Sequence, residues 1–535
     1  MIIPAQAIGS SIQAQTVIVG AGPAGMSLAL DLADRGVDVA LLSSGSLAPD
    51  RLSQDLSKAE SFPDYHADPR SLDARRLGGL SWAWGGRCLP LQPHDFVPRA
   101  ELDLPGWPIE YADLMQHGET AAKFLGIGHP DFEPRAQLEN ADLSLERWAS
   151  MPALANKHKK VLAADDGPKV YLDITCSGAE IDEHGKVIAI QAKTPDGKPV
   201  RVKGSDFVLA AGGLETARLL LWFSEQNGRT APRWTGRGYM GHLKAQIADI
   251  RAPDDIVGTL DYRQGVDCFV RNRLALPEQT LVDRRLPNIQ FWLDNPTMSN
   301  PGHGVPGLSL AYLALATPVV GPRLLPSAMR DYFVGFGKPS MTAHMKNVLR
   351  SPFGAARYCL ASWSSRRTIP VRPGYITRKS DGFHRLTCAA EERPRFQNGL
   401  TLGTSRDQNG MPRAIIKRDL HPDDINGLIN ANRALIETCA SKSIHMRLDG
   451  QNSKLEEKVR ISSGDGYHQI GTARMGLSKN DSVTDPECRA HGISNLFVAG
   501  SSVFPRCGQA NPTFSIVCLS HRLAGTIAKG YSYAD

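Results

Sequence analysis

One short segment near the N-terminus restricts the fold of this chain more than any other part of the sequence. A β-branched run, Gln15–Val19, leads directly into the hexapeptide GAGPAG at 20–25. An apolar pattern with helical spacing follows from Met26 to Arg35, and Val37–Leu42 is a second strand-like run. Strand, glycine loop, helix and strand in this order predict a βαβ unit.

The spacing of Gly20, Gly22 and Gly25 is typical of a loop that binds a dinucleotide. The first glycine permits a tight turn, the second lets the backbone approach a pyrophosphate, and the third lets helix and strand pack closely. The N-terminus of the following helix presents unpaired N–H groups and a favourable dipole to the phosphates. With Pro23 and Ala24, which complete the loop, we expect these five residues to contact the cofactor.

The second strand departs from the usual dinucleotide pattern. An acidic residue that binds the adenosine ribose is expected about twenty residues beyond the glycines. Ser43, in LLSSGS, occupies that place. A serine hydroxyl is a neutral partner, so Ser43 is the candidate ribose contact and a weaker one than a carboxylate.

Further strand and helix patterns are spread along the rest of the chain. Residues 45–75 are polar and contain proline, which is typical of an excursion or lid. Alternating apolar and polar residues with turn signals from Lys169 to Val202 predict a β-meander. The other predicted elements are strands at 206–211, 288–293, 399–402 and 496–499 and helices at 214–222, 422–441 and 512–529.

Composition and charge exclude several classes of protein. The 535 residues carry a formal net charge of +6, and the basic residues are spread along the chain, so no nucleic-acid partner is predicted. Nine cysteines form no CxxC pair and no Cys/His ligand spacing, which predicts neither a metal site nor a disulfide framework. Residues 1–15 lack a basic and apolar leader, so cytoplasmic residence is the default expectation, with export alongside a signal-bearing partner as the alternative.

The most apolar window, Val305 to Leu325, is similar to a membrane segment only in composition. Prolines, glycines and Arg323 leave about ten uninterrupted apolar positions, half of what a spanning helix needs. We interpret the window as a buried or pocket-lining segment. Peripheral contact with a membrane surface is the minority alternative.

Several further motifs follow the glycine loop in a fixed order. They include LGGLSWAWGGR at 77–87, GWP at 106–108 and DFVLAAGGLETARLLL at 206–221. The C-terminal part carries HQIGT from His468, GSSVFP at 500–505 and NPT from Asn511. This series resembles the signature of the glucose–methanol–choline (GMC) oxidoreductase family, and the middle of the chain matches only loosely.

The resemblance implies an α/β (α+β) fold with a Rossmann-like FAD-binding domain built from both chain ends, and a substrate domain with an antiparallel sheet and helices. On this basis residues 12–240 and 456–535 are predicted to form the FAD-binding domain and 241–455 the substrate domain. Family members oxidise a carbinol to a carbonyl with FAD. The FAD contacts that the resemblance implies beyond the glycine loop are Gly79, Leu80, Ala83, Trp84, Gly85, Ala211, Gly500, Ser501, Asn511 and Thr513.

The same resemblance implies that His468 faces the flavin and that Asn511 is its companion. A neutral imidazole can remove a hydroxyl proton near pH 7, and an amide can donate to the developing alkoxide without titrating. The His/Asn pair and the GSSVFP wording resemble the pyranose-oxidase-like branch, which acts on sugars and glycosides. We therefore expect His468 as base and a secondary alcohol of a sugar or glycoside as substrate. His242 and His491 match family motifs as well, and we interpret both as structural.

Ala83 bears on how the flavin is attached. In pyranose-oxidase-like members, a histidine of the segment corresponding to LSWAWGG bonds covalently to the flavin. The matching position here holds Ala83, between Trp82 and Trp84. We therefore expect FAD to bind non-covalently.

Three other functions are compatible with the same residues. The chemistry could act on an apolar natural-product alcohol, with 305–325, Phe333 and Phe336 lining the pocket. A lyase or cyclase that retains FAD without redox turnover is a second alternative, and a flavin-binding scaffold is a third, which the presence of both His468 and Asn511 disfavours. The sequence does not specify the electron acceptor, which could be dioxygen, a quinone, a cytochrome or another flavoprotein.

Overall fold

The computed structural model describes residues 1–532 apart from 64–65, 135, 139–140, 326–329, 331–333, 335–339, 366–367 and 465. Its α-helices are Pro23–Asp34, Arg51–Asp55, Tyr111–Met115, Gly118–Leu125, Leu154–Lys157, Lys159–Ala163, Gly213–Gln226, Asp254–Thr259, Glu278–Asp283, Pro306–Ala316, Gly321–Leu324, Met341–Arg350, Pro352–Ser365, Pro422–Cys439, Asn452–Ser463 and Thr513–Ser532. Short 3₁₀ turns occur at Ala5–Ala7, Pro69–Ser71, Gly79–Trp82, Pro93–Asp95, Ala100–Leu102, Pro301–His303 and Ser501–Val503.

A six-stranded parallel sheet joins the two ends of the chain. The predicted β-branched run forms the strand Thr16–Val19, in which every residue is buried. It pairs with Val39–Leu42 on one side and Asp206–Leu209 on the other, and Asp206–Leu209 pairs with Leu496–Val498. The predicted Rossmann-like fold built from both chain ends is therefore confirmed. From edge to edge the strands are Ile2–Ile3, Lys169–Tyr171, Val39–Leu42, Thr16–Val19, Asp206–Leu209 and Leu496–Val498.

The helix Pro23–Asp34 packs against the C-terminal helix Thr513–Ser532 beside this sheet. Leu28 of the first helix is fully buried. Asp31 forms an ion pair of 2.6 Å with His521 of the second helix. These contacts hold the glycine loop, at the start of the first helix, close to Asn511, which lies just before the second.

The β-meander predicted at 169–202 is only partly correct. Lys169–Tyr171 pairs in parallel with Val39–Leu42 and so belongs to the six-stranded sheet. The rest forms a separate four-stranded sheet, because alternation along a strand does not indicate which sheet the strand joins. Its strands, in order, are Ser11–Gln13, Pro199–Lys203, Val187–Lys193 and Thr175–Ile181.

An eight-stranded antiparallel sheet forms the centre of the second part of the molecule. Residues 241–455 supply most of it, but Arg87–Cys88 and Asp142–Trp148 come from the segment that we predicted to be part of the FAD-binding domain. A boundary at residue 240 therefore does not separate the sheets. The strands in order are His445–Leu448, His242–Arg251, His384–Glu391, Ile289–Asp294, Phe269–Ala275, Asp142–Trp148 and Arg87–Cys88, with Arg263–Gln264 paired to Phe269–Ala275.

The two faces of this eight-stranded sheet differ in character. Leu243 and Phe291 are fully buried on one face, in an apolar cluster that includes residues of the helices Pro422–Cys439 and Asn452–Ser463. Alternate residues of a strand point to opposite faces. The other face therefore carries side chains such as His242 and Arg273, and it meets the FAD-binding part of the chain.

The excursion predicted at 45–75 is tied to the middle of the chain. Its strand Glu60–Phe62 pairs in parallel with Pro412–Lys417, which pairs in turn with Gly399–Arg406. Near its end, Arg75 forms an ion pair of 3.0 Å with Glu215. The described part of the excursion is therefore anchored at two points.

The apolar window 305–325 forms two helices, Pro306–Ala316 and Gly321–Leu324. Leu308 and Tyr312 are buried, and the Tyr312 ring stacks on His344 at 4.2 Å between centroids. Within the described ranges, no helix is long and apolar enough to cross a membrane. Phe333 and Phe336, assigned to an apolar pocket in the alternative interpretation, lie outside the described residues.

Candidate active site

The glycine loop has the geometry that a bound dinucleotide requires. Gly20 has a φ of +109°, and a side chain there would lie 2.4 Å from the carbonyl oxygen of Ala210. A side chain on Gly25 would lie 1.9 Å from the carbonyl oxygen of Gly20. A side chain on Gly22, by contrast, would meet nothing within 4 Å, so Gly22 borders open space where a phosphate can approach.

The helix that begins at Pro23 leaves its first N–H groups available to a ligand. Its N-cap is Gly22, which offers no side-chain hydrogen bond, and its first turn contains no acidic residue. Uncapped N–H groups at a helix N-terminus favour negative charge. The loop and helix therefore fit the diphosphate of FAD.

Three of the predicted cofactor positions follow the carboxyl ends of adjacent parallel strands. Gly20 follows Thr16–Val19, Ala211 follows Asp206–Leu209, and Gly500 follows Leu496–Val498. Gly500 has a φ of +128° with open space at its missing side chain. Ligands of open α/β sheets bind at this edge, so the topology brings these predicted contacts together.

Residues 77–87 pack directly on the glycine loop. The N–H of Gly78 donates to the carbonyl oxygen of Ala21 at 2.8 Å, and a side chain on Gly79 would lie 2.9 Å from the Cα of Gly22. The predicted contacts in this segment that retain accessible surface are Leu80, Ala83, Trp84 and Gly85. From the C-terminal part, Ser501 Oγ donates to the carbonyl oxygen of Gln469 at 2.7 Å, and Thr513 begins the last helix.

Ser43 lies at the same edge of the sheet, but its hydroxyl is already engaged. The side chain is buried, and Oγ donates to the carbonyl oxygen of Gly45 at 2.7 Å. Its lone pairs are what it can still offer to a ribose hydroxyl. The ribose contact at Ser43 stays a prediction, now limited to accepting a hydrogen bond.

His468 lies between two polar partners. Its Nε2 is 3.2 Å from the amide nitrogen of Asn511, and its Nδ1 is 2.6 Å from Nδ1 of His242. An amide nitrogen only donates, so Nε2 of His468 carries a lone pair and its proton is on Nδ1. His468 then donates to His242, which accepts through Nδ1. Our interpretation of His242 as structural missed this contact.

Backbone register explains why these two histidines meet. Met240 and Ile470 exchange backbone hydrogen bonds of 2.9 and 3.0 Å in an isolated antiparallel bridge. Two residues further along such a pair, His242 lies opposite His468 on the same side. The side chains around His468 strengthen this placement, since Thr472 Oγ1 donates to the carbonyl oxygen of Gly213 at 2.6 Å.

Burial and positive charge keep both imidazoles neutral. Burial, and then the charges of Lys244, Arg87 and Arg418, lower the pKa of His468 to about 3. Burial, followed by the charge of His468, lowers the pKa of His242 well below its usual value. At neutral pH the pair is therefore uncharged, and His468 presents at Nε2 a lone pair that accepts from the Asn511 amide.

Two buried ion pairs support the strand that carries His242. Glu391 lies opposite His242 in register and pairs with Arg506 at 2.7 Å, and Glu392 pairs with Arg418 at 2.7 Å. Removing one partner of such a pair costs about 3–5 kcal/mol, because the other charge stays buried. The position of His242 is thus held by a rigid polar frame.

The other histidine that matches a family motif lies apart from this pair. His491, also interpreted as structural, contacts Ser482 Oγ at 2.9 Å. No group of His, Cys, Asp or Glu in the described part of the chain is placed to hold a metal ion. All nine cysteines are free thiols, and all but Cys359 are buried.

Two family models match the chain at the regions that carry these contacts. A model described as FAD binding domain matches residues 13–48, which include the glycine loop. A model described as GMC oxidoreductase matches residues 394–520, which include His468 and Asn511. Residues 394–520 are thus a GMC oxidoreductase domain. The chain is a GMC-type, FAD-dependent oxidoreductase that acts on alcohols.

Relatives of this GMC oxidoreductase match nearly its whole length. The 2-methyl-1,2-propanediol dehydrogenase of Mycolicibacterium austroafricanum is 22% identical over 98% of this chain and 96% of its own. The 6'''-hydroxyparomomycin C oxidase of Streptomyces lividus is 27% identical over 96% of this chain and 90% of its own. Among solved structures, pyridoxine 4-oxidase from Mesorbium loti is 16% identical, with a TM-score of 0.52 over 97% of this chain and 99% of its own. This last likeness shows a shared fold.

Proposed function

We propose that this GMC oxidoreductase oxidises a secondary alcohol of a sugar or glycoside, with His468 as the base and Asn511 as the donor to the reacting oxygen. The observation that carries the proposal is the set of contacts around His468. Its neutral ring presents an Nε2 lone pair toward Asn511 and is held from behind by His242. That is the arrangement a proton acceptor needs.

FAD held at the glycine loop would supply the acceptor for the hydride of the carbinol carbon. The chain must remove the hydroxyl proton and stabilise the oxygen as charge develops on it. We infer that the substrate hydroxyl donates to Nε2 of His468 and that the Asn511 amide then donates to the substrate oxygen. A positioned base contributes roughly 10²–10⁴ in rate.

The positive charges around His468 serve both parts of this step. Burial and the charges of Lys244, Arg87 and Arg418 disfavour a proton on His468. The same positive charges stabilise an alkoxide in this space, because they attract its negative charge as strongly as they repel a proton on the ring. After hydride transfer the proton is released readily, which returns the ring to its neutral form.

His242 acts in this proposal as a positioning residue. Its Nδ1 accepts from Nδ1 of His468, which selects the tautomer that leaves Nε2 free of a proton. The two rings are perpendicular, with centroids 4.7 Å apart. This contact orients the proposed base without itself touching the substrate.

The structure is compatible with the expectation of non-covalent FAD. Ala83 offers only a methyl group at the position where the family branch carries its linking histidine. The nearby thiol of Cys88 is fully buried, and burial raises its pKa well above the usual value. Thiolate is the reactive form, so Cys88 is a poor substitute for that histidine.

The sugar assignment is supported by the His468–Asn511 pair and by the relative named as an oxidase of a hydroxyparomomycin. Anaerobic reduction of the holoenzyme by a panel of glycosides and a panel of apolar alcohols tests it. We expect flavin bleaching by members of the first panel. Bleaching by apolar alcohols alone would show that the substrate is an apolar alcohol and not a sugar. Product formation without bleaching would indicate a lyase or cyclase.

A further inference from the structure

Arg273 is a fully buried arginine whose three guanidinium nitrogens make no hydrogen bond. Its closest carboxylate oxygen is Oε2 of Glu146, 3.7 Å from Nη1. A buried charge without hydrogen bonds is costly, and buried polar groups in proteins almost always have partners. This guanidinium is therefore built to meet a group that the chain itself does not supply.

Positive charge is in excess around Arg273. Glu146 contributes one negative charge, and its carboxylate also contacts Arg271 at 2.6 Å and Arg87 at 3.3 Å. Among the described residues, Glu146 is the one carboxylate in ion-pair contact with any of these three arginines. Asp294 acts on Arg271 from a greater distance. Three guanidiniums thus share one carboxylate in direct contact.

Most of the other unpartnered groups beside Arg273 are donors, and the exception is Oε2 of Glu146, which accepts no hydrogen bond. The guanidiniums of Arg273 and Arg87 lie over the ring of Trp292, 4.4 and 4.6 Å from its centroid. The indole N–H of Trp292 and the amide nitrogen of Gln290 are buried without acceptors. Unpartnered donors therefore outnumber the one unpartnered acceptor in this cluster. An oxyanion would supply the missing acceptors and balance the excess positive charge, which a cation would not.

These donors share the face of the eight-stranded sheet that carries His242. In register, His242 lies opposite Glu391, while Trp292 lies opposite Thr387, four residues earlier on the same strand as Glu391. Alternate residues share a face, so Trp292 and His242 point to the same side. Two strand spacings of about 4.8 Å and four residues of about 3.4 Å each separate the backbone of Trp292 from that of His242, which is about 17 Å. The long arginine side chains shorten this separation, since the charge of Arg273 acts on His242 and the charge of Arg87 acts on His468.

We propose that Arg87, Arg273, Gln290 and Trp292 form an anion site that binds a carboxylate, or another oxyanion, carried by the alcohol substrate several bonds away from the carbinol. The alcohol end of this substrate rests on the function proposed above. Burial lowers the pKa of Arg273 to about 9, so the guanidinium is charged at neutral pH, and a bound anion would stabilise that charge. A sugar acid fits this arrangement, whereas a substrate with protonated amines would be repelled.

Titration of the holoenzyme with simple oxyanions tests the site without turnover. Sodium acetate, sodium sulfate and inorganic phosphate are added at constant ionic strength, with sodium chloride as the control, and the flavin absorbance spectrum is followed. We expect a saturable change with acetate and at least a tenfold weaker affinity in Arg87→Gln and Arg273→Gln. Preference for sulfate or phosphate over acetate would support the site and change the oxyanion assigned to the substrate.

Two further variants separate loss of the site from general damage. Arg87→Lys keeps the charge and should retain more anion affinity than Arg87→Gln. Arg284→Gln removes an exposed arginine paired with Glu437 on the surface, and it should bind acetate as the wild type does. If Arg273→Gln fails to fold, the partly exposed Arg87 still provides the test.

Substrate preference provides the second arm. A methyl glucuronoside carries a carboxylate where the corresponding methyl glucoside carries a hydroxymethyl group. In anaerobic flavin reduction we expect the Kd of the glucuronoside to be at least tenfold lower than that of the glucoside. Absence of any saturable oxyanion effect in the wild type overturns the proposal. A second result would also overturn the proposal: Arg87→Gln binds acetate as tightly as the wild type but has a shifted flavin reduction potential. That result would mean that the arginines act on the flavin. If no alcohol reduces the flavin, the proposed function fails, while the oxyanion titration still reads out the anion site.

Discussion

Replacing His242 with leucine should impair the proposed base without removing FAD or substrate. The substitution removes the acceptor that lies 2.6 Å from Nδ1 of His468. A buried donor left without a partner costs about 1–3 kcal/mol. His468 avoids this cost by moving its proton to Nε2, with the Asn511 amide turned over so that its oxygen accepts that proton. That tautomer presents a proton where the substrate hydroxyl needs a lone pair. At 1.4 kcal/mol per factor of ten, the productive form falls by roughly 5- to 150-fold.

Anaerobic stopped-flow measurement of the limiting rate of flavin reduction reads this change directly. We expect the rate in His242→Leu to fall by about 10- to 100-fold, with FAD content and substrate Kd within about twofold of the wild type. An asparagine side chain places an oxygen near the position of the histidine Nδ1, so His242→Asn should recover most of the rate. His491→Leu, which removes a histidine bonded to Ser482, is the matched control.

Two results would refute this reasoning. A reduction rate in His242→Leu equal to that of the wild type would show that the contact between the two rings does not set the tautomer. Equal impairment in His242→Asn and His242→Leu, with intact FAD binding, would show that the hydrogen-bond acceptor is not what matters.

The remaining predictions concern the same site. His468→Ala should retain FAD and lose at least about a hundredfold in flavin reduction; an unchanged rate would remove His468 from its role. Asn511→Ala should lose less, about tenfold, which is the net contribution of one hydrogen bond, and it should keep its colour; absorbance and stopped-flow rates together check this. Acid precipitation should release the yellow colour into the supernatant, whereas a coloured pellet would show a covalent flavin despite Ala83. Because the pKa of His468 is lowered to about 3, the rate of flavin reduction should hold between pH 8 and 5 and fall only as pH approaches 3; a midpoint near 6.5 would contradict this. The unfolded chain binds this proton at higher pH than the folded one, so stability should fall as pH drops from about 6.5 toward 3.

Much of the nucleotide site could be predicted because its determinants are local. Gly20 and Gly25 follow from a strand, a tight turn and a helix that are consecutive in the chain, and the structure leaves no space for a side chain at either position. The strands at 206–209 and 496–498 were recognisable from short buried runs for the same reason. The strand Lys169–Tyr171 was assigned to the wrong sheet, because its partner, Val39–Leu42, lies far away in the chain.

By itself the sequence determined the cofactor loop, the family and the two residues most closely tied to the proposed chemistry, His468 and Asn511, because each lies in a contiguous motif. Only the tertiary structure decided that His242 contacts His468, since the contact depends on a bridge between Met240 and Ile470. Only the tertiary structure, likewise, gathered Arg87 and Arg273 onto the face of His242. Hydrogen bonds within a motif are encoded by neighbours in the chain, whereas strand register depends on which distant segments pair, and no local pattern specifies that.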